Sequence, residues 1–288
     1  MGINWRSLFV IVCISCWLID RPVEALGVNL FASIPQIPEL STTQLNEIAK
    51  SITVKVFAGE TSGSGILIHR QGRVYTVLTN EHVLTPGDGK QYRIQTPDGQ
   101  IYPAALSRVG EFDSNDLGLL QFTSRGEIYA IASFNSSSQL CPGDAAFASG
   151  FPFGSPGFVF TTGQVSLILP QAFAGGYQIG YTNDIRKGMS GGPVLNSQGQ
   201  LVGINGQHAY PLWGNPYVFE DGSVPNEVQY QQMIQLSWAV PVEIFVQHTK
   251  GLISKQITAD CRRNQPTTEP VIFQPQLPPA PSPANWLW

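Results

Sequence analysis

The sequence predicts an all-β fold whose antiparallel sheets close or stack on one another, and three observations predict it. Glycine and proline are abundant, at 29 and 22 of 288 residues, so the chain turns often. Charged residues make up only 12%, roughly half the usual share, which leaves little material for long solvated helices. Short apolar runs recur, each bounded by Gly, Asp, Pro or Ser, at the spacing of a sheet protein. A doubly wound α/β fold needs helices of about 10 residues or more between its strands, and the intervals here are too short for them. The 42% apolar content is enough to bury a sizeable core.

Taken in order, the elements begin with a segment to be removed. Arg6, the apolar run Leu8 to Ile19 and then Val23-Glu24-Ala25 read as a secretory signal, residues 1–25, cut near Ala25. The apolar run reaches only about 18 Å as a helix, too short for a bilayer. No later apolar stretch is long enough to cross one, so the mature chain is expected to be exported, to the periplasm or beyond, with no membrane span. Cys13 and Cys16 leave with the signal. Cys141 and Cys261 remain, in a compartment that permits a Cys141–Cys261 disulfide tying the C-terminal segment to the body. Residues 26–44 form a lead-in. Ser41-Thr42-Thr43-Gln44 is a capping box, and Leu45, Ile48 and Ala49 follow at helical spacing, so a short helix is expected.

Beyond that helix the period shifts to two at Ile52, Val54 and Val56. Strands are expected at Gly65–His69, Arg73–Thr79, Tyr92–Thr96, Ile101–Ser107 and Leu117–Phe122. A second set is expected at Ala145–Ser149, Gln164–Leu169, Tyr177–Thr182, Leu201–Ile204 and Leu236–Val240. Pro241 opens a terminal helix whose apolar face is Val242, Phe245 and Val246. Residues 251–288 are Pro-rich from Gln265 and read as an extended tail.

The 16 basic and 20 acidic residues give a formal charge of −4 with no long basic run, which excludes nucleic acid as the expected partner. The sharpest chemical signal is Gly188-Met189-Ser190-Gly191-Gly192-Pro193. A serine framed by glycines can sit on a tight turn with its hydroxyl exposed, and the N–H groups of Gly188 and Ser190 can face a carbonyl oxygen as it becomes an oxyanion. Serine is a weak nucleophile alone and needs a base and a carboxylate to orient that base. Only four histidines are available. His82 follows the apolar β-run Val74 to Thr79, so it is placed at the end of a buried strand. Asp116 precedes Leu117, Leu119 and Leu120 at the entry to another strand, whereas Glu111 and Asp113 are not set directly against one. His82, Asp116 and Ser190 are therefore the candidate base, orienter and nucleophile. No cysteine–histidine spacing resembles a zinc site, and neither metal nor organic cofactor is implied.

Four blocks together carry a resemblance: Gly63-Ser64-Gly65-Ile66-Leu67-Ile68, Leu78-Thr79-Asn80-Glu81-His82-Val83, Asp116-Leu117-Gly118-Leu119-Leu120 and Gly188 to Pro193. In this order they resemble the trypsin-like serine proteases, and the chain is similar to their exported bacterial branch, often seen in cyanobacteria, from about Leu45 to Val246. The resemblance implies two antiparallel six-stranded β-barrels with the site in the cleft between them. It implies a protease domain over 45–250, with the first barrel over about 51–125 and the second over about 126–250. It also implies a polypeptide substrate, hydrolysis through an acyl-enzyme, and oxyanion-hole N–H groups on Gly188 and Ser190, in the roles of a well-known catalytic template.

The chain departs from the family pattern in several places. Met189 stands where activated digestive proteases keep an aspartate, so their zymogen switch is expected to be absent. Glu81 adds a carboxylate beside His82, which strand alternation points outward. Asp184, six residues before Ser190, stands where relatives bind a basic side chain, unless it is a loop aspartate neutralised by Arg186. Asn205 occupies the position of a histidine in glutamate-specific relatives, with His208 three residues on. Asp184, Asn205, Gly206 and His208 are the candidate substrate-binding residues. The aromatic stretch Tyr210–Gln235 either overhangs the cleft or packs as a satellite cluster. Gly150-Phe151-Pro152-Phe153-Gly154 reads as a packing turn.

Two other function classes compete. Ser190, Asp221 and His248 satisfy the triad order of an α/β-hydrolase esterase, although Gly191-Gly192-Pro193 is a poor helix start after its serine. A non-catalytic peptide-binding protein on the same fold is the other.

Overall fold

The computed structural model describes residues 39–249, apart from 88–90, 108–110, 138–139 and 212–215. The expected signal segment, most of the lead-in, Trp213, Cys261 and the Pro-rich tail lie outside the described residues, and the expected Cys141–Cys261 pairing lies outside them with Cys261. The short apolar runs fold into two closed antiparallel barrels of six strands each, the architecture that the family resemblance implies. The first holds β1 (Thr53–Ala58), β2 (Thr61–Gln71), β3 (Val74–Thr79), β4 (Tyr92–Gln95), β5 (Ile101–Leu106) and β6 (Gly118–Thr123), in the spatial order β1-β2-β3-β6-β5-β4. The second holds β7 (Ala145–Gly150), β8 (Val159–Phe173), β9 (Tyr177–Tyr181), β10 (Pro193–Leu195), β11 (Leu201–Gln207) and β12 (Ser237–Pro241), ordered β10-β11-β12-β9-β8-β7.

Among the described residues four α-helices decorate the barrels: α1 (Thr42–Ile52), α2 (Glu81–Leu84), α3 (Glu227–Met233) and α4 (Val242–His248). The Ser41–Gln44 capping box forms in both directions and starts α1, which buries Leu45, Ala49 and Ile52. The Leu40 N–H donates to Ser197 C=O at 2.9 Å, tying this helix to the second barrel. Helix α4 begins after Pro241 and buries Val242 and Phe245, as the apolar pattern predicts. Helix α3 and the three-residue β10 were not expected. Helix α3 buries only Met233 and so has no apolar face to read, and β10 is too short for periodicity to reveal it.

Several strands bury both faces, which explains why β3 reads as a near-continuous apolar run. Tyr75 and Val77 join Leu120 and Phe122 inside the first barrel. Leu78, Leu117 and Leu119 turn the other way, into a cluster shared with Phe173, Tyr177, Leu195, Leu201 and Trp238 of the second barrel. The second barrel has its own interior of Ala146, Ala148, Val165, Ile179, Val194 and Ala239.

Register places the functional segments. β3 pairs with β6 so that Thr79 faces Gly118, which sets the exit of β3 beside the entrance of β6. The residues just past Thr79 and just before Gly118 therefore meet at one end of the first barrel. On the second barrel, Gly191 and Gly192 precede β10 and are pinned to Asn205 of β11 by main-chain bonds of 2.7 and 2.9 Å.

Ser64, fully buried on β2, fastens the two barrels at this end. Its hydroxyl donates to Gly188 C=O at 2.8 Å and accepts from the Phe151 N–H at 2.8 Å, while its own N–H donates to Ser190 C=O at 2.8 Å. Gly191 must be glycine: its φ is +83°, and a Cβ there would fall 2.2 Å from the Ser64 carbonyl oxygen. A Ser64→Ala variant leaves the part-buried Phe151 N–H and the buried Gly188 C=O without that partner and is expected to lose about 1–3 kcal/mol of stability. Urea denaturation checks this as a lower midpoint at unchanged slope.

Candidate active site

Asn80 is the N-cap of α2; its side chain makes no cap bond, and its Nδ2 donates to Asp116 C=O at 2.8 Å. His82 consequently lies in the first turn of a four-residue helix and not at a strand end as the sequence suggested. The apolar run ends at Thr79, and a single turn leaves no helical period to read. Helix α2 turns the His82 main chain as well as its ring toward Asp116. The His82 N–H donates to Asp116 Oδ1 at 2.9 Å, and Nδ1 lies 2.6 Å from Asp116 Oδ2. The His82 side chain is 48% exposed and that of Asp116 only 14%, so the ring faces solvent while its partner is shielded.

Asp116 is held on every side. Its N–H donates to Gly175 C=O at 2.9 Å, in the turn between β8 and β9. The Tyr177 hydroxyl donates to Oδ2, the same oxygen that meets His82. Burial pushes the Asp116 carboxyl upward, but the hydrogen bond and charge of His82, the Tyr177 hydroxyl and the His82 amide outweigh it and hold the group below the usual carboxylate range. Tyr177 is pushed the other way, first by burial and then by the Asp116 charge, so it stays protonated and remains a donor.

Ser190 lines the same cleft as His82 and Asp116, together with Tyr177, Arg186, Lys187, Gly206, Gln207 and His208. Its hydroxyl donates to Gly206 C=O at 3.1 Å. Among the described residues the N–H groups of Gly188 and Ser190 have no internal acceptor, while the Met189 N–H is used on Arg186 C=O at 3.0 Å and the Gly188 C=O on Ser64. Two neighbouring donors are thus left available beside the serine. Met189, in place of the family's aspartate, is fully buried among Ile179, Tyr181 and Val194, so an apolar plug supports this loop. The expected packing turn at Gly150 to Gly154 forms the back of the loop: the Phe153 N–H donates to Lys187 C=O at 2.8 Å.

The candidate substrate-binding residues separate. Gly206 and His208 line the cleft. His208 is held below the ordinary histidine value by burial and then by the Lys187 charge. Asn205 is fully buried beneath the cleft, where its Nδ2 donates to Met189 C=O at 2.9 Å and its Oδ1 accepts from the Tyr181 hydroxyl. Asp184 turns away, with its side chain 82% exposed and 3.9 Å from Arg186. Glu81 is exposed and borders a different hollow from His82. In the aromatic stretch, Tyr217, Phe219 and Tyr230 pack against Phe173 or one another, while Pro211 and Pro216 reach the cleft wall. Asp221 bonds Ser223 and His248 pairs with Asp113, so the α/β-hydrolase triad does not assemble. Among the described residues no cluster of His, Cys, Asp or Glu could hold a metal ion. Sequence reasoning did not find Ser64 and Tyr177. Ser64 lies in the first motif block, but neither its fastening role nor that of Tyr177 shows in the local pattern, because their partners lie far away in the chain.

A carboxylate kept below its unfolded value stabilises the native state above that value, and the benefit is lost as pH falls through the lower folded value. Asp116→Asn is therefore expected to flatten the acid side of the stability curve between about pH 5 and pH 2, measured as melting temperature against pH. Parallel curves for the two proteins would contradict the assigned shift.

Comparison with known proteins finds the same class of domain. Residues 63–204 match the family model of the trypsin-like peptidase domain. The chain is 33% identical over 154 residues to serine protease HTRA1 of Xenopus laevis, covering 50% of this chain and 31% of that protein. It is 37% identical over 150 residues to the periplasmic pH-dependent serine endoprotease DegQ of Escherichia coli, covering 50% of this chain and 30% of that one. The matches thus span less than a third of the length of these relatives. The solved structure of the HtrA-type protease AlgW with tripeptide superposes with a TM-score of 0.55 at 22% identity, over 72% of this chain and 62% of that one, which supports the fold. Residues 63–204 are thus similar to the trypsin-like peptidase domain, and the chain folds as the two closed six-stranded barrels of the trypsin-like fold.

Proposed function

We propose that the protein is a serine endopeptidase that hydrolyses peptide bonds through an acyl-enzyme on Ser190. The observation that carries this reading is the Asp116 carboxylate on His82 Nδ1 at 2.6 Å, in a cleft that also holds Ser190 and two N–H groups without internal acceptors. Asp116 fixes the ring so that Nδ1 carries the proton and Nε2 is the basic nitrogen. Ser190 rests on Gly206 C=O, and a rotation about its χ1 would release the hydroxyl toward Nε2. His82 takes the hydroxyl proton as Oγ attacks the substrate carbonyl, and the carbonyl oxygen gains its negative charge facing the Gly188 and Ser190 N–H groups. The same proton then passes to the leaving amine, and water repeats the sequence to free the acid. In the proposal Asp116 orients and does not take the proton.

The partner is an extended polypeptide, and the relative solved with a tripeptide supports that choice. The peptidase domain is assigned to residues 45–250, with 1–25 a signal peptide and 251–288 a tail. Export to the periplasm or beyond fits relatives such as the periplasmic endoprotease DegQ. Arg186, Lys187 and His208 line the cleft while Asp184 stays off it, so a basic side chain anchored on Asp184 is no part of the proposal.

The test is intact mass after exposure of the purified protein to a fluorophosphonate. One adduct is expected on the wild type, none on Ser190→Ala, and labelling slowed by about a thousandfold or more in His82→Ala. No adduct on folded wild-type protein would sink the peptidase reading in favour of a peptide-binding scaffold.

A further inference from the structure

Three donors converge on the Asp116 carboxylate, and two belong to His82, the group it orients. The third is the hydroxyl of Tyr177, the first residue of β9, which reaches Oδ2 from the second barrel. Its ring is 3% exposed, and Asp116 is the acceptor of its hydroxyl. The neighbouring turn adds the Gly175 C=O on the Asp116 N–H and a backbone bridge between Asn115 and Gly175. One hairpin of the second barrel therefore clamps both the main chain and the side chain of an acid that belongs to the first.

Room for the tyrosine comes from Gly206. A Cβ at that position would lie 2.4 Å from both the hydroxyl oxygen and Cε1 of Tyr177. No real side chain approaches so closely, so any residue larger than glycine at 206 must push the phenol away from Asp116. Gly206 also supplies the carbonyl on which the Ser190 hydroxyl rests. The acid's third donor and the serine's resting acceptor are thus packed against each other.

We infer that Tyr177 is a positioning residue of the peptidase site: its hydroxyl fixes the Asp116 carboxylate that orients His82, and Gly206 is without a side chain to admit it. This rests on the reading of His82, Asp116 and Ser190 given above. Tyr177 acts through Asp116 alone. Removing its hydroxyl frees the carboxylate to rotate and leaves the charge on Oδ2 shared with one donor fewer. The loosened carboxylate orients the ring less well, and its fuller charge favours the protonated ring. Reaction at Ser190 should slow, and the acid limb of its pH profile should move to higher pH.

The test compares second-order rates of fluorophosphonate labelling in full-length wild type, Tyr177→Phe, Asp116→Ala and the double variant, across pH. Phenylalanine keeps the buried ring, so melting temperature reports packing separately. Tyr177→Phe is expected to label about tenfold more slowly at neutral pH, the loss of one hydrogen bond to a charged group, with its acid limb displaced upward. In the Asp116→Ala background the same substitution should change the rate less than about twofold. Gly206→Ala provides an independent approach, since its methyl displaces the phenol, and should move the acid limb in the same direction. A wild-type rate and profile in Tyr177→Phe, or an equal loss with and without Asp116, would overturn the inference while leaving the peptidase reading intact. An acid limb left in place by Gly206→Ala would also overturn it. A wild type that takes no label removes both readings.

Discussion

The largely shielded carboxylate of Asp116 is the interaction on which the arrangement depends. A charge shielded to this degree is tolerated only when its oxygens are satisfied, and the donors come from α2 and β9, one in each half of the molecule. The pairing of Thr79 with Gly118 brings α2 to the acid, and the β8–β9 turn closes over it from the second barrel. A small shift between the barrels would break these bonds together, leaving a largely shielded charge uncompensated. Their relative placement is therefore coupled to the proposed chemistry through hydrogen bonds of fixed length, more sharply than apolar contact alone could achieve.

Ser64 performs the matching task for the nucleophile loop. With one side chain and one N–H it holds Gly188, Ser190 and Phe151, and these bonds leave the Gly188 and Ser190 amides without internal acceptors. The loop is supported from below by Met189, an apolar plug, and by Asn205, whose main chain and side chain both bond to it. Hydrogen bonding and packing replace the buried ion pair that shapes this loop in the activated digestive proteases.

Much of this was legible in the sequence, for identifiable reasons. The all-β character follows from short apolar runs between turn residues, the two barrels from the family resemblance of four motif blocks, and the capping box at Ser41 marks the start of α1. That His82, Asp116 and Ser190 line one cleft was suggested by their order among four motif blocks. What was not legible depends on contacts distant in sequence. Helix α2 is one turn long, so His82 reads as the end of the strand before it. Tyr177 looks like any strand aromatic until the fold brings it to Asp116, 61 residues away in sequence. Asn205 and Asp184 lie at the right separations from Ser190, but separation does not reveal that one is buried beneath the cleft and the other turned out of it.

The central claim is that the first-barrel histidine and the second-barrel serine and amides form one reactive site. The most direct measurement is a crystal structure of the protein after reaction with a fluorophosphonate. The account predicts phosphorus bonded to Ser190 Oγ, the hydroxyl bond to Gly206 C=O gone, and the phosphoryl oxygen about 3 Å from both the Gly188 and Ser190 nitrogens. His82 should remain on Asp116. An adduct on another residue, or a phosphoryl oxygen turned away from those amides, would contradict it.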